Sequence, residues 1–119
     1  MEFKEKQAIY LQIADIMCEN ILLKKWQEGE RIPSVREIAV ITEVNPNTAM
    51  RTFTYLQDLE IIYNKRGIGY FVASNGYEKT LTYKKGEFMK NDVPLFFRNL
   101  SLLNIDIKEI VTLLKNNSK

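Results

Sequence analysis

Residues 34–48 read SVREIAVITEVNPNT, and two helix starts within this short stretch decide the fold. At the first start, Ser34 and Glu37 have the spacing of a capping box, in which the serine oxygen accepts from the Glu37 amide and the glutamate accepts from the Ser34 amide. At the second, Asn45 is a favourable N-cap and Pro46 fits the first helical position, where a missing N–H is tolerated. Two capped helices so close together, the first only about two turns long, indicate a helix-turn-helix.

The second of these helices is predicted to run from Pro46 to about Leu59, and its two sides differ in chemistry. Ala49, Phe53 and Leu56 recur at helical spacing, which predicts the side that faces the core. The other side is short and polar, and its members are Asn47, Thr48, Arg51 and Tyr55. A face of this kind suits the major groove of DNA, where the first turns of a recognition helix meet phosphates and base edges. Tyr55 could equally pack on the protein surface.

Two β-prone runs follow, Ile61–Lys65 and Tyr70–Val72, separated by a turn that contains Gly67. This pattern predicts a β-hairpin, which would form the wing of a winged helix-turn-helix. Lys65 and Arg66 would lie near its tip, where charged residues also serve solubility alone. A short strand is predicted earlier, at Arg31–Ile32, just before the first capped helix.

A longer helix is predicted before this motif, from Lys6 to Lys24, and it is apolar on two sides. One stripe comprises Ile9, Ile13 and Ile16, and a second comprises Leu11, Cys18 and Leu22. Only a narrow polar strip remains, formed by Gln12, Asp15 and Glu19. A helix with two apolar sides is expected to pack between two partners. For Cys18 we expect a small buried hydrophobic residue rather than a reactive thiol.

The stretch Ala73-Ser74-Asn75-Gly76 marks a change in composition, and we place the joint between two regions there. Residues 1–75 are predicted to form a winged helix-turn-helix, and residues 76–119 a helical tail. Within the tail we expect one helix over Thr80–Lys90 and a second that Asp92 caps and Asn104 ends. A third helix would begin at Asp106, where the sequence again has a capping-box pattern.

The tail has more apolar residues than two or three short helices can hide by themselves. The predicted dimer-interface residues are Leu95, Phe96, Leu100, Leu103, Ile110 and Leu114. They could pack on the first helix of their own chain, but we favour a two-fold interface because a symmetric DNA site calls for a symmetric protein. Phe96 and Phe97 could instead line a ligand pocket, although polar groups that would fix a ligand are missing from the pattern.

The composition excludes several classes of function. The 119 residues include one cysteine and no histidine, which removes His-based acid–base catalysis, His-containing triads and most transition-metal sites. No Gly-rich phosphate loop is present, so we expect neither an enzyme nor a bound cofactor. Apolar runs fall well short of the ~20 residues that span a bilayer, and Met1–Lys6 does not resemble a secretory leader. We therefore expect a cytoplasmic protein with no membrane partner.

The charge balance alone does not identify a nucleic-acid binder. The net charge is +2, with −1 in residues 1–75 and +3 in residues 76–119. An interaction with DNA must therefore depend on where a few basic side chains lie and not on their number.

Several stretches in order resemble the GntR family of winged-helix repressors. Residues 28–39, EGERIPSVREIA, are similar to its "pG-xx-LPS-xRELA" signature, and Val44–Thr48 with Arg51 resembles its "VNpnTV-xR" recognition helix. Lys65–Val72, KRGIGYFV, is similar to the "RRG-x-GtFV" wing, and Ile9–Ala14, IYLQIA, to the "iYlQIa" opening. With only 44 residues after position 75, the chain resembles the YtrA-type subfamily, whose short helical tail dimerises without a roomy effector pocket.

The resemblance implies a role for each matching residue. Arg36 would contact DNA from the second helix, and the wing would approach the minor groove. The residues that match the family's DNA-binding positions are Arg36, Asn45, Asn47, Thr48, Arg51, Lys65, Arg66 and Gly67. Two positions depart from the family pattern: Glu60 replaces a helix-ending glycine, and Ile68 stands where a polar or basic residue is common.

The sequence thus predicts a mainly α fold with a small β-hairpin wing, a winged helix-turn-helix followed by a helical dimerisation tail. The expected function is that of a homodimeric repressor that binds a palindromic operator in double-stranded DNA. The alternative is a winged-helix protein-interaction module that does not touch DNA. The sequence identifies no effector ligand.

Overall fold

The computed structural model describes residues 7–118, and their internal contacts divide them into two compact units. The winged-helix unit ends at Lys84, and the tail unit begins at Lys85. Lys6, where the sequence prediction begins the first helix, lies outside the described residues, as does the rest of Met1–Lys6. The elements in chain order are α1 Ile9–Leu22, α2 Val35–Thr42, α3 Pro46–Asp58, β1 Ile62–Lys65, β2 Gly69–Val72, α4 Gly76–Glu87, a π-helical turn Phe88–Asp92, α5 Val93–Leu102 and α6 Ile107–Asn117.

The predicted fold class is confirmed, because the described chain is mainly helical with one two-stranded hairpin. In the winged-helix unit α3 packs on both α1 and α2, and the stripe predicted from its sequence is buried. Phe53 is fully buried at its centre, with its ring centroid 4.8 Å from that of Tyr70 in an edge-to-face contact. The fully or almost fully buried apolar residues are Ile13, Ala14, Met17, Cys18, Ile21, Ile32, Ile38, Ala39, Ala49, Phe53, Leu56, Ile61, Ile62 and Val72.

The prediction for α1 was partly wrong. Five of its six buried residues, Ile13, Ala14, Met17, Cys18 and Ile21, form one face, and Gln12 lies on the opposite side. Ile9 and Ile16, assigned to an apolar stripe, are exposed, whereas Gln12, assigned to the polar strip, is buried and donates from Nε2 to the Gln7 carbonyl at 2.8 Å. The buried position of Cys18 is confirmed, and burial raises the pKa of its thiol to about 12.

The hairpin prediction is confirmed, with Ile62 opposite Val72 and Lys65 opposite Gly69 in an antiparallel register. The short strand predicted at Arg31–Ile32 is reduced to a single antiparallel bridge between Arg31 and Phe71. It is extended by the Ile32 amide, which donates to the Tyr70 carbonyl at 2.9 Å. The loop before α2 is thereby tied to β2, which lies between this loop and β1.

Glu60 ends α3 in a left-handed conformation, with φ of 61°. The Ile61 amide donates to the Leu56 carbonyl at 3.0 Å, and the Glu60 amide donates to the Gln57 carbonyl at 2.9 Å. These two bonds form the ending that glycine usually supplies. The sequence indicated that Glu60 makes such an ending difficult, and the chain adopts it at the steric cost of a Cβ in that region.

The beginning of α4 packs on the winged-helix unit. A Cβ added at Gly76 would lie 2.6 Å from Val72 Cγ1, so only glycine fits at this close approach. Lys84 Nζ lies 2.7 Å from Asp15 Oδ1 and joins α4 to α1. The contacts thus divide the chain after Lys84, while the boundary at residues 75 and 76 stays a prediction.

The tail unit consists of the last three residues of α4, the π-helical turn, α5 and α6. Asp106 caps α6 in a full capping box with Glu109, as the sequence predicts, and Asn104 ends the preceding segment with φ of 56°. The expected cap at Asp92 was wrong, because its side chain makes no capping bond and its backbone is helical. The chain passes through the π-helical turn into α5, a route that also accommodates the missing N–H of Pro94.

Candidate nucleic-acid interface

The N-terminus of α2 is fixed by the predicted capping box. Ser34 Oγ accepts from the Glu37 amide at 3.1 Å, and the Ser34 amide donates to Glu37 Oε1 at 2.9 Å. The backbone and side-chain bonds from Ser34 lower the pKa of Glu37, and the charge of Arg31 lowers it further. Arg36 is exposed in this first turn, so a rigid helix end presents its side chain.

The turn between α2 and α3 is equally well defined. Glu43 takes a left-handed conformation, with φ of 56°, and the Val44 amide donates to the Ala39 carbonyl at 3.0 Å. Asn45 then caps α3, because its Oδ1 accepts from the Asn47 amide at 2.7 Å. The Asn45 side-chain oxygen is thus already used inside the protein.

The exposed side of α3 differs in part from the predicted one. Asn47 and Arg51 are exposed as expected, whereas Thr48 and Tyr55 are half-buried. Two residues that the sequence argument passed over complete the surface, and we call its four members, Asn47, Met50, Arg51 and Thr54, the outer face of α3. Met50 is 41% exposed, although its apolar character suggested no role. The sequence did carry a signal for them, because Met50 and Thr54 follow Asn47 at the helical spacings i+3 and i+7 and so share its side of the helix.

Tyr55 belongs to a row of three tyrosines, not to the outer face of α3. Its ring meets Tyr10 edge-on at a centroid distance of 5.8 Å and Tyr83 at 6.0 Å. The hydroxyl groups of Tyr55 and Tyr83 lie 2.6 Å apart and share a hydrogen bond. This row joins α1, α3 and α4.

Arg51 lies against the first tyrosine of that row. Its Cζ is 4.0 Å from the centroid of the Tyr10 ring, within the range of a cation–π contact. The neighbouring Thr52 is fully buried, and its hydroxyl donates to the Tyr10 carbonyl at 2.7 Å. The guanidinium of an exposed arginine is therefore held over an aromatic surface.

The wing presents its turn to solvent. Residues 65–68 are exposed, and Gly67 adopts φ of 79°, a conformation that suits glycine. Lys65 Nζ lies 5.1 Å from the centroid of Phe71, whose ring stacks on Tyr63. The predicted wing residues Lys65, Arg66 and Gly67 are therefore accessible.

Arg31 is a further basic residue at the wing that the sequence argument passed over. A Cβ built on Gly69 would lie 2.8 Å from Arg31 Nε, so the arginine lies directly over this glycine. Arg31 is exposed and shares one side of the sheet with Phe71, its bridge partner. In the sequence, the signal for a role of Arg31 was its place in the short strand predicted at Arg31–Ile32. The structure shows that this segment pairs with the wing.

The structure gathers all the predicted DNA-binding residues in the winged-helix unit, on α2, α3 and the wing. The predicted interface residues lie in the tail unit, where Leu95, Phe96, Leu103 and Leu114 are exposed and Leu100 and Ile110 half-buried. None of the residues from 85 to 118 is fully buried.

Two negative findings apply to residues 7–118. No group of three or more His, Cys, Asp or Glu side chains within them lies close enough together to hold a metal ion. None of the helices described combines the length and apolar character needed to cross a bilayer.

Comparison with known proteins places this geometry among bacterial regulators. The sequence model described as "Bacterial regulatory proteins, gntR family" matches residues 9–72. Two Bacillus subtilis (strain 168) proteins are similar to the chain. The HTH-type transcriptional regulator YhcF is 43% identical over 72 residues, which are 60% of each protein, so the match spans less than two thirds of that relative. The HTH-type transcriptional repressor YtrA is 29% identical over 102 residues, 86% of this chain and 78% of YtrA.

Two solved structures are similar over most of the chain. A GntR-family protein from Bacteroides thetaiotaomicron is 52% identical, with a TM-score of 0.74 over 92% of this chain and 95% of that one. BusR from S. agalactiae, solved with its busA-promotor DNA, is 25% identical, with a TM-score of 0.64 over 90% of this chain and 55% of BusR.

Proposed function

The chain belongs to the gntR family of bacterial regulatory proteins, and from this we propose that it is a transcription factor that binds a palindromic operator in double-stranded DNA as a homodimer. The observation that carries the proposal is the outer face of α3, which presents Asn47 and Arg51 beside a firmly capped turn. The similar protein BusR has been solved on promotor DNA, which supports the same class of ligand here.

In this proposal α3 enters the major groove with its first turns. Arg51 can donate two hydrogen bonds to a guanine edge or a phosphate, and Asn47 can pair with the edge of an adenine. Thr48 contributes a hydroxyl from the rim of the helix, and Asn45 holds the helix start. Met50 lies between the polar residues of the outer face and can contact a thymine methyl group.

The other two elements fix the position of α3 on the duplex. Arg36, at the start of α2, contacts a phosphate or a base edge, and the wing approaches the flanking minor groove through Lys65, Arg66 and Gly67. Because residues 1–75 have a net charge of −1, affinity depends on these few placed cations. The dependence on salt should therefore match a small number of phosphate contacts per subunit.

The tail supplies the second subunit. Apolar side chains that are 54–67% exposed in one chain, such as Leu95, Leu103 and Leu114, favour burial against a copy of themselves. The whole proposed interface is Leu95, Phe96, Leu100, Leu103, Ile110 and Leu114. In such a dimer each subunit reads one half of a palindromic operator, and occupancy of a promoter in the cytoplasm represses transcription. The similar protein YtrA is described as a transcriptional repressor.

The first experiment is a titration of the full-length protein against double-stranded DNA. The operator is selected from a random pool by the full-length protein itself, and binding is then followed by fluorescence anisotropy at several salt concentrations. We expect two chains per site and an affinity that falls steeply as salt rises, because phosphate contacts release counterions. A protein partner bound with little sensitivity to salt, with DNA bound at the non-specific level, would favour a protein-interaction module instead.

Matched variants test the residues. Arg51→Ala and Arg36→Ala should each weaken binding to the selected operator by ~1–3 kcal/mol, with the free energy of unfolding almost unchanged. Lys25→Ala removes one positive charge from the turn after α1, outside the three proposed contact elements, and should bind like the wild type. Wild-type affinity in Arg51→Ala would contradict its assignment.

A further inference from the structure

The contact between Arg51 and Tyr10 joins two parts of the chain that are far apart in sequence. The guanidinium carbon lies 4.0 Å from the centroid of the phenol ring, and Arg51 is exposed on the outer face of α3. No ion pair recorded for residues 7–118 involves Arg51. Within residues 7–118, the Tyr10 ring is therefore the group against which this guanidinium lies.

Tyr10 is itself held in place by two contacts, and a hydrogen bond to Tyr83 supports the second. Its carbonyl accepts from the buried Thr52 hydroxyl at 2.7 Å, which ties the N-terminal turn of α1 to the middle of α3. Its ring meets Tyr55 edge-on at 5.8 Å, and the Tyr55 hydroxyl is bonded to that of Tyr83 at 2.6 Å. The half-buried ring of Tyr10 is thus a fixed surface rather than a mobile one.

We propose that Tyr10 is a positioning residue for DNA recognition: its ring holds the Arg51 guanidinium in the orientation that binds the operator. The inference rests on the proposed function. An exposed arginine loses rotamer freedom when it binds, and stacking on a fixed ring removes part of that freedom beforehand. Because stacking uses the face of the guanidinium, the N–H groups along its edge stay available for a bidentate contact with guanine or phosphate.

This role gives a function to Tyr10 in the IYLQIA segment at residues 9–14, whose Ile13 and Ala14 belong to the buried core. Tyr10 contributes to affinity and base selectivity through Arg51 and makes no contact with DNA of its own.

The test compares three substitutions at position 10 in the full-length protein. Tyr10→Leu removes the ring but keeps apolar packing, and we expect operator affinity to fall about two- to five-fold, the range of an exposed cation–π contact. Tyr10→Phe keeps the ring and removes only the hydroxyl, so it should bind like the wild type, and Tyr10→Trp should retain most of the affinity. A role limited to the stability of the fold would move the unfolding midpoint of Tyr10→Leu and leave its DNA affinity unchanged.

A double-mutant cycle with Arg51→Ala separates the proposed mechanism from a direct contact. If Tyr10 acts through Arg51, Tyr10→Leu should cause no further loss of affinity in the Arg51→Ala background, and selectivity should relax at the same base pair in both single variants. Full additivity of the two losses, or wild-type affinity in Tyr10→Leu, would overturn the inference.

Asn47→Ala distinguishes failure of this inference from failure of the proposed function. If Asn47→Ala weakens operator binding while Tyr10→Leu does not, the DNA-binding function stands and the positioning role is refuted. If the wild type binds no DNA sequence selectively, the proposed function and the positioning role are refuted together.

Discussion

The winged-helix unit and the tail unit are both rich in apolar side chains, but they differ in what happens to those side chains. Within residues 7–84, the winged-helix unit buries fourteen apolar residues almost completely, with Phe53 and Leu56 at 0% exposure. Between Lys85 and Ser118 no residue is fully buried, and Phe97 is 58% exposed. The winged-helix unit thus buries its apolar side chains within itself. Those of the tail unit would be buried only against a second surface.

The largest expected effect comes from removing a phenyl ring from the winged-helix unit, compared with removing one from the tail unit. Phe53→Ala opens a cavity in a closed core and should lower the free energy of unfolding by ~3–5 kcal/mol. Phe97→Ala removes a ring that is already largely in water, so it should change the unfolding of the winged-helix unit little. Urea unfolding followed by circular dichroism measures both, and equal losses would break the distinction between the units.

A second prediction concerns the surface that the tail leaves open. Leu103→Asp with Leu114→Asp places two charges where a partner copy would pack, and we expect the particle mass to drop from two chains to one. Operator affinity should fall by about 100-fold or more, because the two half-sites would no longer be bound together. Light scattering after gel filtration gives the mass. The control is Asn116→Asp, which adds a charge near the C-terminal end of α6 without removing an apolar group. A double variant that stays dimeric would contradict the proposed interface.

A smaller effect is expected from the two capping boxes, one in each unit. Ser34→Ala removes the cap of α2 and should cost ~1 kcal/mol of global stability, because that helix is part of the closed core. Asp106→Ala removes the equivalent cap of α6, and there we expect faster hydrogen exchange in α6 with little change in the unfolding of the winged-helix unit. Similar global losses in both variants would indicate that the two units unfold together.

The smallest effect is expected at the left-handed helix ends. Glu60→Gly relieves the strained φ of 61° and should raise the free energy of unfolding by ~0.5–1 kcal/mol. The exposed ion pair that it loses, between Glu60 and Lys79 at 3.0 Å, contributes less than that gain. Asn104→Gly in the tail should gain less, because asparagine tolerates this conformation better than glutamate. Thermal unfolding of the two variants tests the order, and a loss of stability in Glu60→Gly would show that the ion pair outweighs the strain.

The elements that the sequence predicted well are those specified by neighbouring residues. The capping box at Ser34, the cap at Asn45 and the turn around Gly67 each depend on a few consecutive residues, and all three are confirmed. The predicted core side of α3 is confirmed as well, because a regular helix fixes which of its residues share a side.

Some of the failures depended on a contact distant in sequence, and others had local causes. Which side of α1 is buried is decided by its packing on α3, so the exposure of Ile16 and the burial of Gln12 were not evident from periodicity. The role of Tyr10 depends on α3 passing over it, and Asp92 became part of a helical turn rather than a cap. Met50 was missed because its apolar side chain was not considered for a polar surface. The roles of the individual DNA-binding residues stay predictions.

The buried cysteine of α1 has a practical consequence for spectroscopy. Thiol-reactive labels attack the thiolate, and Cys18 is both enclosed and, with a pKa of about 12, almost entirely protonated at neutral pH. The natural chain is therefore expected not to react with thiol-reactive labels, so its cysteine does not need to be removed before site-directed labelling. A cysteine introduced at Asn116, an exposed position outside the proposed interface, would take a nitroxide selectively, and the spacing of two such spins reports how copies of the chain associate. A second labelling site at Ile68 would let a fluorophore follow the wing as DNA is added.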